Sequence, residues 1–445
     1  MMEHVKKRKR LTAFQTITVG FAIVILVGSL LLMLPVSTAD GEKTPFIDAL
    51  FTSTSAVCVT GLVIHDTAEY WSMFGQLIIL LLIQIGGMGV ITVVASFLIV
   101  SGQRIGLMHR SAMQEALSAP KVGGIVRLAG FIIKTTFIIE ILGALLLSFV
   151  FCREFGAAKG LWYSIFHSVS AFCNAGFDLM GIKAPFSSLT SYNVNPVINI
   201  TIMLLIIIGG IGFLTWDDVR SNGGRIRKYR LQSKTIVFVT AVMIGVSFLY
   251  FFIFEFKGEP IEERIWESLF QSVTPRTAGF NTADLTQMSE TGQLFTIILM
   301  IFGGSPGSTA GGIKTTTVAV LIAACIATFG KREEVRLFNR SISEETVKYA
   351  ITIFMMYIIS FSVGGALISN IEGVPLMSGL FEAASAIGTV GLSLGITPGL
   401  GAASKAILMG LMFLGRVGGL TLVFAAMSGG HRISSKLPKE KITVG

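Results

Sequence analysis

The feature that most constrains this chain is a short pattern that occurs four times, each time within an apolar region. Every copy begins with Phe, continues through small and hydroxyl residues, and ends in a Gly that precedes a large apolar residue. A pattern repeated along a chain indicates a fold built from similar structural units. The four copies occupy residues 51–62, 166–177, 270–280 and 381–392, and the third is one residue shorter than the others.

A glycine cluster follows each copy at a nearly constant distance. The spacing from the pattern's Gly to the cluster is 25, 33, 24 and 24 residues, and the one outlier contains an insertion around Lys183–Asn195. Two patterns that stay in register predict four tandem units, over 1–103, 104–220, 221–330 and 331–445. The clusters are Gly86-Gly-Met-Gly89, Gly209-Gly-Ile-Gly212, Gly303-Gly304-Ser305 and Gly415-Arg-Val-Gly418.

Composition shows which solvent these units face. Hydrophobic residues make up 52% of the 445 residues and charged residues only 14%, whereas a soluble domain carries about 25% charged residues. Apolar stretches such as Phe21–Pro35 and Leu77–Val100 approach or exceed the roughly 20 residues that a bilayer-spanning helix needs. We therefore predict an integral membrane protein, and neither an enzyme nor a nucleic-acid-binding protein.

Each unit divides into a first spanning helix, a short segment and a second helix. The short segment has 10–13 apolar residues before its glycine, which is too few to span a bilayer, so we predict a re-entrant pore loop. The fold class predicted is an all-α membrane protein with eight transmembrane helices and four re-entrant loops around one central pore. The first helices are expected over 11–34, 127–151, 233–256 and 346–369, and the second helices over 72–100, 196–216, 292–329 and 404–428.

Basic residues alternate with acidic or neutral connections. Of the 35 Lys and Arg residues, 24 lie in the segments 1–10, 104–127, 220–234, 331–348 and 432–441. The positive-inside rule places such segments in the cytoplasm, which predicts cytoplasmic termini and an even number of spans. This distribution explains the net charge of +9 without a nucleic-acid partner.

The ends of the four loops are the predicted cation site. A short helix that enters the membrane and ends at a glycine turn directs its carbonyl-bearing, electronegative end toward the membrane interior. A ring of such carbonyl oxygens can replace the hydration shell of a cation. None of the candidate residues is acidic, which favours K⁺ or Na⁺ bound by backbone carbonyls over Ca²⁺. The candidates are Val59, Thr60, Gly61, Asn174, Ala175, Gly176, Thr277, Ala278, Gly279, Thr389, Val390 and Gly391.

The second helix of the third unit contains a segment that cannot be helical. Glycine and proline are the poorest helix formers, so we predict a break between 292–302 and 313–329. Irregular backbone at membrane depth requires a protein-lined or wet cavity, and the register places this loop just below the filter, where it would act as a gate. The gate candidates are Gly303, Gly304, Ser305, Pro306, Gly307, Ser308, Thr309, Ala310, Gly311, Gly312, Lys314 and Arg416.

The basic residues near this loop have several interpretations. Arg416 could repel a cation, hold the loop through its carbonyls, or cap a helix end. Lys314 is expected to reach the interface or pair with exposed carbonyls, and Arg276 to tie down the third loop. The run Gly307–Thr315 comes close to a nucleotide-binding loop, but Ile313 stands where that motif needs Lys, and no strand precedes it. The other three glycine clusters are interpreted as helix-packing sites.

The chain resembles the Trk/Ktr/HKT superfamily over essentially its whole length. The resemblance rests on the tandem pore-loop units, the glycine-rich break in the third unit and the Arg in the fourth. Within the superfamily, the chain is most similar to the membrane subunits of bacterial Ktr systems. The resemblance implies K⁺ uptake across the cell membrane, stimulation by Na⁺, a homodimer with one pore per subunit, and gating by Gly303–Gly312 and Arg416. It also implies a cytosolic octameric ring of the KtrA type that binds ATP, ADP or NAD, with no cofactor in this chain. The basic segments Arg220–Lys234, Lys331–Arg340 and His431–Lys441 are candidate docking surfaces.

Two alternatives stay open. One is a secondary transporter with alternating access, although such folds often use inverted repeats and these units run parallel. The other is a sodium-selective or sodium-coupled member of the same superfamily.

Overall fold

The computed structural model describes residues 12–93, 106–117, 121 and 123–427. The predictions for the basic segments 1–10 and 432–441, for Arg104 and for the tail His431–Lys441 lie outside the described residues. The described helices are α1 (Ala13–Leu32), α2 (Phe46–Cys58), α3 (Thr67–Tyr70), α4 (Met73–Met88), α5 (Leu107–Ala116), α6 (Ile125–Phe155), α7 (Ala157–Phe172), α8 (Pro196–Gly210), α9 (Phe213–Asn222), α10 (Leu231–Tyr250), α11 (Ile261–Val273), α12 (Glu290–Ile301), α13 (Thr315–Phe329), α14 (Glu344–Glu372), α15 (Leu376–Gly388), α16 (Ala402–Val417) and α17 (Gly419–Met427).

Four of these helices are the predicted first helices of the units. Within the described residues, α1, α6, α14 and α10 with its five-residue π-helical extension are long and apolar enough to cross a bilayer alone. Their outward faces carry large apolar side chains that are more than half exposed, such as Leu30 on α1 and Phe149 on α6. An exposed apolar surface of this kind suits lipid rather than water.

The four short helices α2, α7, α11 and α15 lie inside this frame. Three of them begin after a proline at the N-cap position, Pro45, Pro260 and Pro375, where the fixed φ of proline suits the start of a helix. Each helix carries the Phe of the repeated pattern with its side chain fully buried. These helices are therefore core elements, and each ends at a candidate filter segment.

The second helices differ from the prediction in one respect. We expected a break in the third unit alone, and the structure interrupts the second helix in the other three units as well. Gly89, Gly212 and Gly418 adopt φ of 84°, 90° and 88°, a backbone conformation that glycine tolerates and other residues resist. The axes of α8 and α9 consequently meet at 96°.

The same clusters also serve the packing role predicted for them. The first glycine of each cluster lies against a carbonyl near the end of the neighbouring short helix: Gly86 against Val57, Gly209 against Phe172 and Gly415 against Ile387. A Cβ at any of these glycines would collide with that carbonyl oxygen. The clusters thus combine close packing with a bend.

One small element was not predicted. Strands β1 (Val335–Leu337) and β2 (Arg340–Ile342) pair antiparallel between α13 and α14. The connecting residues Phe338 and Asn339 both have positive φ, as a two-residue hairpin turn requires. This hairpin lies within the basic segment 331–348, and the remainder of the described chain is helical or irregular.

Candidate ion pathway

The four candidate filter segments share one backbone conformation. Their first residues, Val59, Asn174, Thr277 and Thr389, have φ between 51° and 68°, and their glycines, Gly61, Gly176, Gly279 and Gly391, have φ between 71° and 96°. The residue between this first residue and the glycine has negative φ in all four segments. Backbone dihedrals that alternate in sign turn successive carbonyl groups toward the same side of a strand.

A hydroxyl four residues after the buried Phe stabilises each segment. Ser55 and Ser385 accept from the amides of Gly61 and Gly391 at 3.1 and 3.0 Å. Ser170 instead donates to the carbonyl of Phe177 at 2.7 Å, and Thr274 donates to the carbonyl of Phe280. Sequence analysis noted hydroxyl residues in the pattern but assigned them no role, although their position relative to Phe is the same in all four units.

The four glycines form a closed ring. The position that a Cβ would occupy on Gly61 lies 3.0 Å from the Cα of Gly176, and that on Gly176 lies 3.0 Å from the Cα of Gly279. The same distance is 3.2 Å from the Cβ position of Gly279 to the Cα of Gly391, and 3.0 Å from the Cβ position of Gly391 to the Cα of Gly61, which closes the ring. The structure thus brings all four predicted segments around one axis.

The carbonyl oxygens just before the glycines lie at this ring. A Cβ added to any of the four glycines would meet one of these oxygens first, and that oxygen belongs to the next segment around the ring. The oxygens are those of Thr60, Ala175, Ala278 and Val390. Backbone oxygens without an acidic side chain among them can coordinate a dehydrated monovalent cation.

The Asn174 side chain ties the second filter segment to the third, and the Arg276 side chain anchors the third segment to α10. Asn174 donates to the carbonyl of Arg276 and contacts the hydroxyl of Thr277, both at 3.4 Å. Arg276 is 5% exposed and donates to Thr240 on α10 at 3.1 Å. Arg276 therefore has the structural contact expected for it.

A cavity of about 290 Å³ lies on one side of the ring and includes all four glycines in its lining. We call this cavity the outer vestibule. Asp66, Asp178 and Asp284 also line it, so it attracts cations. Burial, together with the nearby charge of Asp66, raises the pKa of Asp178 to about 7.

The glycine-rich loop Gly303–Gly312 lies on the opposite side of the ring. Thr309 donates to the carbonyl of Phe172 at 3.2 Å and to the side chain of Asn174 at 3.1 Å, directly beneath the second filter segment. The loop also pairs with the bend of the second unit, through Ser305 N to Gly210 O at 3.0 Å and Phe213 N to Gly307 O at 2.7 Å. These contacts place the loop where the repeat register predicted it.

Arg416 joins this loop to the first unit. Its guanidinium donates to the carbonyl of Thr309 in the loop and to the carbonyls of Gly86 and Gly87, the last at 3.0 Å. Among the interpretations left open for Arg416, these contacts favour attachment of the loop through its carbonyls. Lys314 likewise donates to the carbonyls of Ala310 and Gly311, at 2.8 and 3.3 Å.

The remaining loop residues form the wall below the ring. Gly311 lies against the side chain of Thr389, and Gly307 lies against the carbonyl of Leu117. A cavity of about 300 Å³ on this side is lined by the loop, by Lys314 and Arg416 and by the glycine bends of the first and fourth units. Sequence analysis did not foresee that the bends of other units would hold the loop.

Comparisons with known proteins show to which family the chain belongs. The family model described as TrkH, cation transport protein, matches residues 2–431. The chain is 42% identical to the potassium/sodium uptake protein NtpJ of Enterococcus hirae, over 98% of each chain. It is 39% identical to the Ktr system potassium uptake protein B of Bacillus subtilis, over 95% of each chain.

A solved structure shares the fold. The potassium transporter TrkH from Vibrio parahaemolyticus superposes with a TM-score of 0.74 at 20% identity, over 95% of this chain and 86% of that one. The predicted resemblance to the Trk/Ktr/HKT superfamily is thereby confirmed, as is a mostly helical membrane fold; the exact count of eight spans stays a prediction. The chain belongs to the TrkH family of cation transport proteins.

Proposed function

We propose that this protein takes up K⁺ across the cell membrane through a channel-like pore whose filter is the ring of Gly61, Gly176, Gly279 and Gly391. The closed ring carries the proposal, because carbonyl oxygens from four similar segments converge there without a carboxylate. Two relatives that cover nearly the whole chain are described as potassium uptake proteins. The distribution of basic residues supports cytoplasmic termini and an outer vestibule that faces the outside of the cell.

The loop Gly303–Gly312 is the proposed gate. It lies below the ring, where hydrogen bonds to carbonyls and hydroxyls attach it to the neighbouring units. Such attachments can exchange between two arrangements at a modest cost in free energy. Deleting part of the loop is expected to raise basal K⁺ flux, and a loss of flux at normal expression would count against gating.

Regulation is proposed to come from a separate cytosolic subunit. Relatives named as parts of Ktr systems support a partner, and the resemblance suggests an octameric ring of the KtrA type that binds ATP, ADP or NAD. The proposed docking surfaces are the segments Arg220–Lys234 and Lys331–Arg340. The second of these contains most of the β-hairpin. We also propose a homodimer in which each subunit has its own pore.

The decisive experiment expresses the chain in a strain that lacks K⁺ uptake, with and without the cytosolic partner. Growth at low K⁺ that depends on Gly61 is expected. Channel-like flux, independent of a Na⁺ gradient, is expected in proteoliposomes.

A second function has one specific observation in its favour, because the relative at 42% identity is described as a potassium/sodium uptake protein. Sodium-coupled K⁺ transport predicts that K⁺ flux requires Na⁺ in a fixed ratio. A sodium-selective pore predicts that Na⁺ carries current in the absence of K⁺. Measurement of both ions in the same vesicles separates these from the proposed function, in which Na⁺ only activates.

A further inference from the structure

Three carboxylates cluster at the N-terminal end of α11. Glu263 and Glu267 lie one turn apart on the same side of the helix, and Glu259 lies just before its N-cap residue Pro260. One oxygen of each lies within 4.8 Å of the others. Acidic residues are common in the first turn of a helix, so their proximity alone proves nothing.

Glu267 provides the second observation. Its residue is 5% exposed, and its Oε1 accepts from the side chain of Asn193 at 3.2 Å. Its Oε2 is buried and has no hydrogen-bond donor within the described part of the chain. A buried carboxylate oxygen without a partner is unfavourable, and the groups nearest to it in the cluster are also acceptors.

No basic side chain compensates for these charges. The ion pairs found among the described residues all involve other carboxylates. Arg264 lies on the same helix, but its Nε–H donates to the carbonyl of Phe252 at 2.7 Å and its guanidinium lies over the aromatic ring of Phe252. Three close carboxylates that lack a cationic side chain must either share a proton or bind a cation.

The site opens into a cavity of about 570 Å³ that adjoins the outer vestibule. Glu259 and Glu267 line this cavity together with Glu255 and Asp284. The last two are already occupied, because Glu255 accepts from Ser289 and Asp284 accepts from Thr286. The cavity has room for a metal ion with several water ligands.

We propose that Glu259, Glu263 and Glu267 bind one divalent cation of the Ca²⁺ type. Ca²⁺ accepts six to eight oxygen ligands in flexible geometry, with carboxylates binding through one or both oxygens. Mg²⁺ requires near-ideal octahedral geometry, and a monovalent ion would leave two of the three negative charges uncompensated.

The bound ion would connect two units. Asn193, which holds Glu267, belongs to the insertion at Lys183–Asn195 that lengthens the second unit, whereas α11 is the short helix of the third unit. An ion here fixes the outer end of α11, and the other end of α11 leads into Thr277–Gly279. The inference is independent of which ion permeates the pore.

The test uses Tb³⁺, a luminescent substitute for Ca²⁺, on the full-length protein in detergent. Trp266 neighbours Glu267 on α11 and can sensitise Tb³⁺ emission. Wild-type protein is expected to give sensitised emission that Ca²⁺ displaces, and the Kd for Ca²⁺ derived from this competition is expected to be roughly 0.1–1 mM, the range of extracellular Ca²⁺ modules. The double variant Glu263→Gln with Glu267→Gln is expected to lose this signal.

Glu262→Gln is the matched control, because Glu262 is exposed on the same helix and outside the cluster. It removes the same charge and is expected to retain the wild-type signal. If the double variant fails to fold, the exposed Glu259→Gln alone carries the test, with an expected tenfold or greater loss of affinity. Equal emission from wild type and the cluster variants would overturn the proposal, as would displacement by Na⁺ but not by Ca²⁺.

Discussion

Replacement of Arg416 tests how the loop below the ring is held. In Arg416→Gln the loop loses a charge-assisted hydrogen bond to the carbonyl of Thr309, and the bridge to Gly86 and Gly87 is broken. A hydrogen bond with one charged partner contributes about 1.5–3 kcal/mol. If the closed state loses that amount, the ratio of open to closed protein rises roughly tenfold to 150-fold.

The assay is uptake of radioactive rubidium, as a tracer for K⁺, into proteoliposomes with equal amounts of folded protein and no cytosolic partner. Arg416→Lys distinguishes a tether from electrostatic repulsion of the permeating ion, because Lys keeps the charge but cannot present the planar fork of donors. A tether predicts that both variants raise basal flux. Arg153→Gln, which removes an exposed Arg at the end of α6, is the control and should leave flux unchanged.

Unchanged flux in Arg416→Gln would refute the tether. Raised flux in Arg416→Gln with wild-type flux in Arg416→Lys would instead show that the charge itself repels the permeating ion. A structural helix cap, the third interpretation, predicts loss of folded protein in both variants.

Three further predictions concern the ring and the outer vestibule. Gly61→Ser is expected to reduce discrimination between K⁺ and Na⁺, because a side chain at φ of 89° strains the backbone and collides with the carbonyl of Ala175; unchanged permeability ratios would contradict the filter assignment. Ser385→Ala removes the hydroxyl that accepts from Gly391, so we expect about 1 kcal/mol lower stability and weaker selectivity, with Ser385→Thr as the conservative control. For Asp178, whose pKa burial raises to about 7, the carboxyl is neutral below that pH and charged above it. K⁺ uptake at low K⁺ should therefore rise between about pH 6 and 8, and Asp178→Asn should abolish the rise; an identical pH profile in the variant would refute this role.

Sequence patterns sufficed for the repeated architecture and for the residues of the ring. The period of the pattern identifies four short helices, and the buried Phe51, Phe166, Phe270 and Phe381 show why each copy begins as it does. The same pattern also predicted the four ring glycines, because a chain that ends a helix and reverses direction in the membrane needs residues that accept positive φ. The convergence of the four segments on one axis was also predicted from the repeat, and the coordinates supply its distances.

The partners of individual side chains could not be predicted. Arg416 contacts residues more than a hundred positions away in two other units, and no local pattern encodes such a distance. Asn193 and Glu267 are 74 positions apart, so the sequence did not indicate the contact at the acidic cluster. The hydroxyl role of Ser385 could have been found, because the same position is Ser or Thr in every unit.

The bends of the second helices change how the gate is understood. A glycine in an apolar helix is usually a packing residue, and this preference led to the prediction that only the third unit would be broken. Gly89, Gly212 and Gly418 show instead that a bend below the ring belongs to the common plan. The third unit extends that bend into Gly303–Gly312, and the loop pairs with the bend of the second unit through Gly210 and is linked to that of the first by Arg416. The proposed gate is therefore an elaboration of a feature that every unit has, and its attachments come from the equivalent places in its neighbours.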